Sequence, residues 1–175
     1  VINLAVGGRS TRSFVDEKRW EKLLAQLSPG DLVLIQFGHN DQKKDSPERY
    51  APADGSYQEY LKRFIADVRE RKGEIVLCTP VARRIFDGAK VRNTLGGYPE
   101  AVRKVGAETG TPVIDLYNAT VAALEKYGPE KSAELFYVTP EQQPDRTHFN
   151  RAGAELVAGE VARALKEKQL PAPRE

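Results

Sequence analysis

The chain has two histidines, His39 and His148, and each sits in a short polar cluster. Phe37-Gly38-His39-Asn40-Asp41 follows the apolar run Leu32-Val33-Leu34-Ile35, so a buried strand delivers Gly, His, Asn and Asp to its carboxyl end. Open α/β sheets put their chemistry at that edge. An Asn40 side-chain N–H aimed at a developing oxyanion would be worth about 3 kcal/mol in a transition state. His39 is then a neighbour rather than a required catalyst. The same residues can equally form an Asx-turn that caps the next segment, and spacing alone leaves the two readings open. The second cluster, Pro144 to Asn150, places Asp145 three positions before His148. One turn of a loop there could hold the carboxylate against the imidazole, fix its tautomer and leave the other ring nitrogen as a general base. A solvated loop that caps the following helix would use the same residue types. Gly7-Gly8-Arg9-Ser10 offers backbone N–H groups at a strand end, because glycine permits dihedrals that turn an amide toward a ligand. A tight strand-to-helix turn would have the same sequence.

Other chemistries are absent or thin. The phosphate-loop fingerprint G-x-x-x-x-G-K-[ST] does not occur, and Gly7-Gly8 lacks the G-x-G-x-x-G spacing. Binuclear hydrolases carry Gly-Asn-His-Asp or Gly-Asn-His-Glu with several further histidines; here the middle pair is reversed. His39, His148 and one carboxylate leave only a mononuclear metal site conceivable. The formal charge of +2 is too small to argue for nucleic acid. Cys78, the single cysteine, excludes an intrachain disulfide and reads as a buried, inert thiol. No apolar run approaches the length of a bilayer span, and no signal-peptide pattern is visible.

Strand-length apolar runs alternate with helical periodicity, which implies a mostly parallel sheet covered by helices. Strands are expected at Val1 to Val6, Leu32 to Phe37, Glu74 to Thr79 and Val113 to Leu116. Trp20, Leu23, Leu24 and Leu27 share one helical face. Ser56 and Glu59 read as a capping box ahead of the stripe Tyr57, Tyr60, Leu61, Phe64, Ile65 and Val68, with Gly73 closing that helix. Pro99 begins the next helix, Ala101, Val102 and Val105 face inward, and Gly110 stops it. Asn118 is expected to cap a helix ending at Gly128-Pro129. The last helix starts after Asn150 and turns Leu156, Val157, Val161 and Leu165 inward. One domain over residues 1–168, with a frayed tail at 169–175, fits this length.

Taken together, the clusters resemble those of SGNH (GDSL-type) hydrolases, and within them rhamnogalacturonan acetylesterases. The resemblance rests on Val1 through Phe14, on Pro29-Gly30-Asp31 leading into Gln36 through Asp41, on Thr79 through Arg84, and on Asp145 through Asn150 with Gly153-Ala154. It implies a flavodoxin-like three-layer α/β/α fold. It also implies hydrolysis of O-acetyl esters, typically on pectic polysaccharide, through an acyl-serine and with no metal or organic cofactor. By the same resemblance Gly8 supplies a backbone N–H and Asn40 a side-chain N–H to the oxyanion hole. His148 is the base and Asp145 its orienting carboxylate. Arg83, Arg84 and His39 are candidates for substrate binding, and Arg9, Arg12 and Arg92 could also line a cleft for galacturonate carboxylates. The expected partner is an acetylated polysaccharide or oligosaccharide, with no nucleic acid and no membrane. Secretion or a periplasmic location is what the resemblance favours.

One departure stands out. The family nucleophile lies in a Gly-Asp-Ser block on a strand before Gly8, and no Gly-Asp-Ser occurs in these 175 residues. The chain opens on Val1-Ile2, which reads as a processed or incomplete N-terminus. In the order 2-1-3-4-5 the first strand is interior, so without it Val1–Val6 and Leu32–Phe37 share no neighbour. Unmade buried hydrogen bonds cost about 1–3 kcal/mol each. The expectation is an unstable or inactive chain, or one repaired by strand exchange with another chain in an oligomer. A non-catalytic carbohydrate-binding or interaction domain of the same fold is the alternative.

Overall fold

A computed structural model describes residues 1–141 and 143–170. In chain order the elements are α1 (Thr11–Asp16), α2 (Arg19–Leu24), β1 (Leu32–Gln36), α3 (Ser56–Glu70), β2 (Glu74–Cys78), β3 (Phe86–Asp87) and β4 (Lys90–Val91). They continue with α4 (Tyr98–Thr109), β5 (Val113–Ile114), α5 (Leu116–Lys131), a 3-10 turn (Ser132–Leu135), β6 (Phe136–Val138), β7 (Pro144–Phe149) and α6 (Arg151–Glu167). They form two compact units. The first comprises Val1–Pro80 and Gly97–Ile114; the second comprises Val81–Gly96 and residues 115–170.

The first unit is built on a parallel sheet of order β1-β2-β5. Leu32 pairs with Glu74 and Gln36 with Cys78, in unbroken register. β2 is central, and Ile75, Val76, Leu77 and Cys78 are all buried, as a parallel strand covered on both faces requires. α3 packs its stripe Tyr57, Leu61, Phe64, Ile65 and Val68 into this core. α4 adds Ala101, Val102 and Val105. Trp20 lies against Phe64 with ring centroids 4.1 Å apart, and its indole N–H donates to Asp67 at 2.7 Å.

The second unit is held by two antiparallel pairs, β3-β4 and β6-β7. Its core gathers Ala82, Leu124, Leu135 and Phe136 with Phe149 and Leu156 around them. Asn150 caps α6 by accepting from the Gly153 N–H at 3.1 Å. Of the positions expected to face inward on α6, Leu165 is buried and Leu156, Val157 and Val161 are half-buried. Among the described residues, no helix is long and apolar enough to cross a membrane.

Several local expectations are corrected. Residues 1–6 form no strand: no ladder partner pairs with them, and Val1 and Ile2 are exposed. An extended segment without a neighbour has nowhere to place its backbone hydrogen bonds. β1 accordingly lies at one end of the sheet order, with Leu34 46 % exposed. α3 is preceded by Gly55 rather than capped by Ser56, whose side chain makes no capping bond. Lys72, not Gly73, takes the left-handed position after α3. Asp115 rather than Asn118 caps α5, its carboxylate accepting the Asn118 N–H at 3.2 Å. Gly128 breaks the α5 path at φ 79°, as expected, but helical structure resumes to Lys131. The segment around Asp145 and His148 is strand β7, not a loop. Residues 171–175 of the expected tail lie outside the described residues.

Phe64 is wholly buried between Trp20, Phe37 and Tyr60. Phe64→Ala should cost about 3–5 kcal/mol, read as a lower urea midpoint at unchanged slope. A loss below about 1 kcal/mol would mean that the ring is not part of a close-packed core.

Candidate active site

In the first unit the site residues hang on one carboxylate. Asp41 is fully buried. Its Oδ1 accepts the Thr11 N–H at 2.9 Å and the Thr11 hydroxyl at 2.5 Å, and its Oδ2 accepts the Gly38 N–H at 3.0 Å. Its backbone carbonyl accepts the Tyr98 hydroxyl at 2.9 Å and the Ala51 N–H at 3.0 Å. The end of β1 is thus tied to the start of α1. Gly38 is required here twice over. Its φ is +132°, and a Cβ would stand 3.1 Å from the Pro80 ring. Burial pushes the Asp41 carboxyl up to about 6, against the downward pull of the Thr11 and Gly38 donors.

Asn40 is half-buried, and its side-chain N–H donates to the Arg9 carbonyl at 3.1 Å. An amide carries two such hydrogens, so one bond holds the group while the second hydrogen stays available to a ligand oxygen. Arg9 closes a turn in which its N–H meets the Val6 carbonyl at 3.4 Å. Gly8 occupies the third position of that turn at φ +80°, the value a type II turn demands there and only glycine adopts without strain. The exposed Gly8 N–H has no partner among the described residues. The fold therefore brings the Gly8 turn and Asn40 together, each with a free donor.

The second unit brings together Asp145 and His148. The two residues lie on β7, and Asp145 Oδ2 is 3.0 Å from His148 Nδ1. Asp145 Oδ1 accepts the backbone N–H of His148 at 2.8 Å and that of Thr147. Partial burial works against the charge. The His148 and Thr147 N–H groups and the imidazole outweigh it and hold the carboxyl down at about 2. An ionised carboxylate only accepts, so Nδ1 carries the proton and Nε2 is left as the basic nitrogen. The imidazole side chain is 77 % exposed against 23 % for Asp145, so the ring faces outward while the carboxylate is sheltered.

The remaining candidates divide. His39 is half-buried beside Asn40. Arg83 donates to the Thr94 carbonyl and hydroxyl, each at 3.3 Å, and burial lowers its pKa. Arg84 donates to the Pro129 carbonyl at 3.0 Å and stands 5.9 Å above the Phe136 ring. Arg9 is committed to Glu17, with its Nε 3.0 Å from Oε2. Arg12 is half-buried and Arg92 exposed. Ser10 and Ser13 cap α1 reciprocally and are buried. Cys78 is buried and its thiol is pushed up to about 12. Among the described residues, no group of three or more His, Cys, Asp or Glu is placed to hold a metal ion. Sequence reasoning missed the anchoring role of Asp41, and Tyr98 beneath it. A glycine three residues before an Asp at a strand end was the available signal.

A parallel α/β sheet, a side-chain amide beyond the end of its first strand, a glycine turn with an open N–H and a histidine paired with an aspartate are parts an acyl-transfer hydrolase uses. Comparison with known proteins agrees. The GDSL-like Lipase/Acylhydrolase family model matches residues 1–156, and the chain belongs to that family of carboxylic ester hydrolases. It is 41 % identical to the rhamnogalacturonan acetylesterase RhgT of Bacillus subtilis (strain 168), over 98 % of this chain and 76 % of that protein. It is 39 % identical to the probable rhamnogalacturonan acetylesterase YesY of the same organism, over 98 % of this chain and 78 % of that protein. The crystal structure of Bacillus subtilis YxiM superposes with a TM-score of 0.83 at 26 % identity, over 95 % of this chain and 45 % of that one.

The Asp41 carboxyl sets a pH dependence. Its folded value of about 6 lies above the ordinary 3.8, so the folded state binds more protons between those values. Stability should therefore fall as pH rises from about 4 to about 6. Asp41→Asn should flatten that slope in urea titrations run across the window. An unchanged slope would place the titration elsewhere.

Proposed function

We propose that this protein is a carbohydrate esterase that removes O-acetyl groups from a pectic polysaccharide through an acyl-serine. The observation that carries the reading is the Asp145–His148 contact of 3.0 Å, with the second ring nitrogen left as a base. The identity to two rhamnogalacturonan acetylesterases supports the substrate class.

In this reading His148 Nε2 takes the proton of a serine hydroxyl as its oxygen attacks the acetyl carbonyl. Asp145 stabilises the imidazolium and does not itself take the proton. The negative charge that forms on the carbonyl oxygen is met by the Gly8 N–H and the second Asn40 N–H. His148 then returns the proton to the departing sugar hydroxyl. A water activated by the same nitrogen releases acetate and restores the serine.

Ser10 and Ser13 are not assigned the nucleophile, because both are buried in the α1 cap. The reading gives that role to the serine of a Gly-Asp-Ser block, a tripeptide these 175 residues do not contain. It follows that the 175 residues alone should turn over no ester. The second reading is a non-catalytic carbohydrate-binding or interaction domain of the same fold. That domain would bind acetylated polysaccharide without turnover even in the complete gene product.

Acetate release from acetylated rhamnogalacturonan by the complete gene product separates the two. Asn40→Ala should lower kcat by about 10²–10³, and Asp145→Asn by roughly 10⁴. His148→Ala should reduce turnover by at least as much. Full activity in the Asn40→Ala and His148→Ala variants would sink the site assignment. Binding without any acetate release would favour the second reading.

A further inference from the structure

The segment that carries Asn40 is held at both ends by tyrosines from two different helices. Tyr57, in the first turn of α3, donates its hydroxyl to the Phe37 carbonyl at 3.1 Å. Tyr98, at the start of α4, donates to the Asp41 carbonyl at 2.9 Å and lies 2.8 Å from the Ala51 carbonyl. Phe37 and Asp41 are the first and last residues of Phe37-Gly38-His39-Asn40-Asp41. Asp41 and Ala51 are also the two ends of the 42–50 loop, so the Tyr98 hydroxyl holds the neck of that loop closed. The two rings meet edge to face, with centroids 5.0 Å apart and planes at 74°. Tyr57 is wholly buried and Tyr98 is 6 % exposed, so each hydroxyl depends on a protein acceptor.

Core packing alone does not account for the hydroxyls. Phenylalanine would fill nearly the same space, and a buried hydroxyl is costly unless it is bonded. Both hydroxyls meet carbonyls of one short segment that is neither helix nor strand. Such a segment has no ladder to take up its oxygens. Burial drives both phenol groups above their ordinary value, so both stay protonated and remain donors. The Tyr57 hydroxyl also lies against Gly38, 3.6 Å from where a Cβ would stand. The Phe37 ring adds a further hold, with centroids 5.5 Å from Phe14 and 6.0 Å from Phe64. Between these fixed ends the Asn40 carbonyl accepts the Lys43 N–H at 3.2 Å, and the Asn40 amide keeps its bond to the Arg9 carbonyl. Releasing either end frees the backbone dihedrals on that side of Asn40, and its side chain moves with them.

We propose that Tyr57 and Tyr98 are positioning residues for the Asn40 amide: their hydroxyls fix the backbone on either side of it and so set where its second hydrogen points. The proposal rests on the esterase reading for what Asn40 does, but not for the hold itself. Neither tyrosine touches substrate; each acts through a carbonyl of the segment. The hold matters because an oxyanion donor is worth most when its distance and angle are set before charge develops.

The test is a double-mutant cycle. The complete gene product is assayed for acetate release as Tyr57→Phe and as Tyr98→Phe, each alone and each combined with Asn40→Ala. Alone, each substitution should lower kcat about tenfold while KM stays within about twofold of the unaltered value. On top of Asn40→Ala, each should lower kcat by less than about twofold, because the group it positions is gone. A merely structural role would lower kcat by the same factor with or without Asn40, and that result overturns the proposal. Unchanged kcat in both single variants, in a protein that releases acetate, overturns it as well and leaves the esterase reading standing. If the unaltered protein releases no acetate, the esterase reading fails, and amide hydrogen exchange decides the hold on Asn40. Exchange of the Gly38 N–H in Tyr57→Phe and of the Ala51 N–H in Tyr98→Phe should quicken about tenfold, with Ile75 to Leu77 on β2 unchanged. Unchanged exchange at Gly38 and Ala51, or equal quickening on β2, overturns the hold.

Discussion

The first unit depends on a buried carboxylate that is fully engaged. A charge or acid out of water is costly unless its oxygens are bonded, and Asp41 has both of its oxygens and its carbonyl occupied. These bonds reach four separate stretches: the start of α1, the end of β1, the loop before α3 and the start of α4. Asn40 is adjacent in sequence, and the Gly8 turn is three residues from Thr11. Both oxyanion candidates therefore inherit their positions from one anchor. Donors fixed before a substrate arrives need no reorganisation during reaction, which is the condition for electrostatic stabilisation to be worth several kcal/mol.

The second unit uses the same residue type in the opposite way. Asp145 also accepts two backbone N–H groups, but it lies near solvent and faces an imidazole. Its carboxyl is held at about 2, whereas that of Asp41 is raised to about 6. Burial dominates one and charge-stabilising donors dominate the other. The contrast separates an anchor, whose task is to hold backbone, from a carboxylate that stays ionised, as the proposed orienting role requires. Arg84 extends this economy of backbone contacts, because its N–H reaches the strand that carries the dyad.

Much of this was legible in the sequence where the signal is local. The α3 stripe, Gly110 after α4, Asn150 before α6 and the Asp145–His148 contact all follow from spacing over a few residues. What was lost needs partners distant in the chain. Val1–Val6 looks like a strand by composition, but strand formation requires a neighbour, and none pairs with it. β3 and β4 are two residues each, too short for any periodicity to register. β7 carries polar residues on both faces, so it read as a loop. The hold of Asn40 on the Arg9 carbonyl spans 31 residues and has no sequence signature. The cap on α5 was misplaced by three positions because Asp and Asn are near-equal N-caps, and both occur there.

Cys78 ends the central strand, sealed between β1 and β5 and 5 % exposed. It is also the only thiol in the 175 residues. A reagent that modifies free thiols can reach it only when that part of the sheet opens, so the rate of its modification reports the free energy of opening. The molecule thus contains a built-in, background-free clock for the motion of its own core, and a ligand that steadies the first unit would slow it.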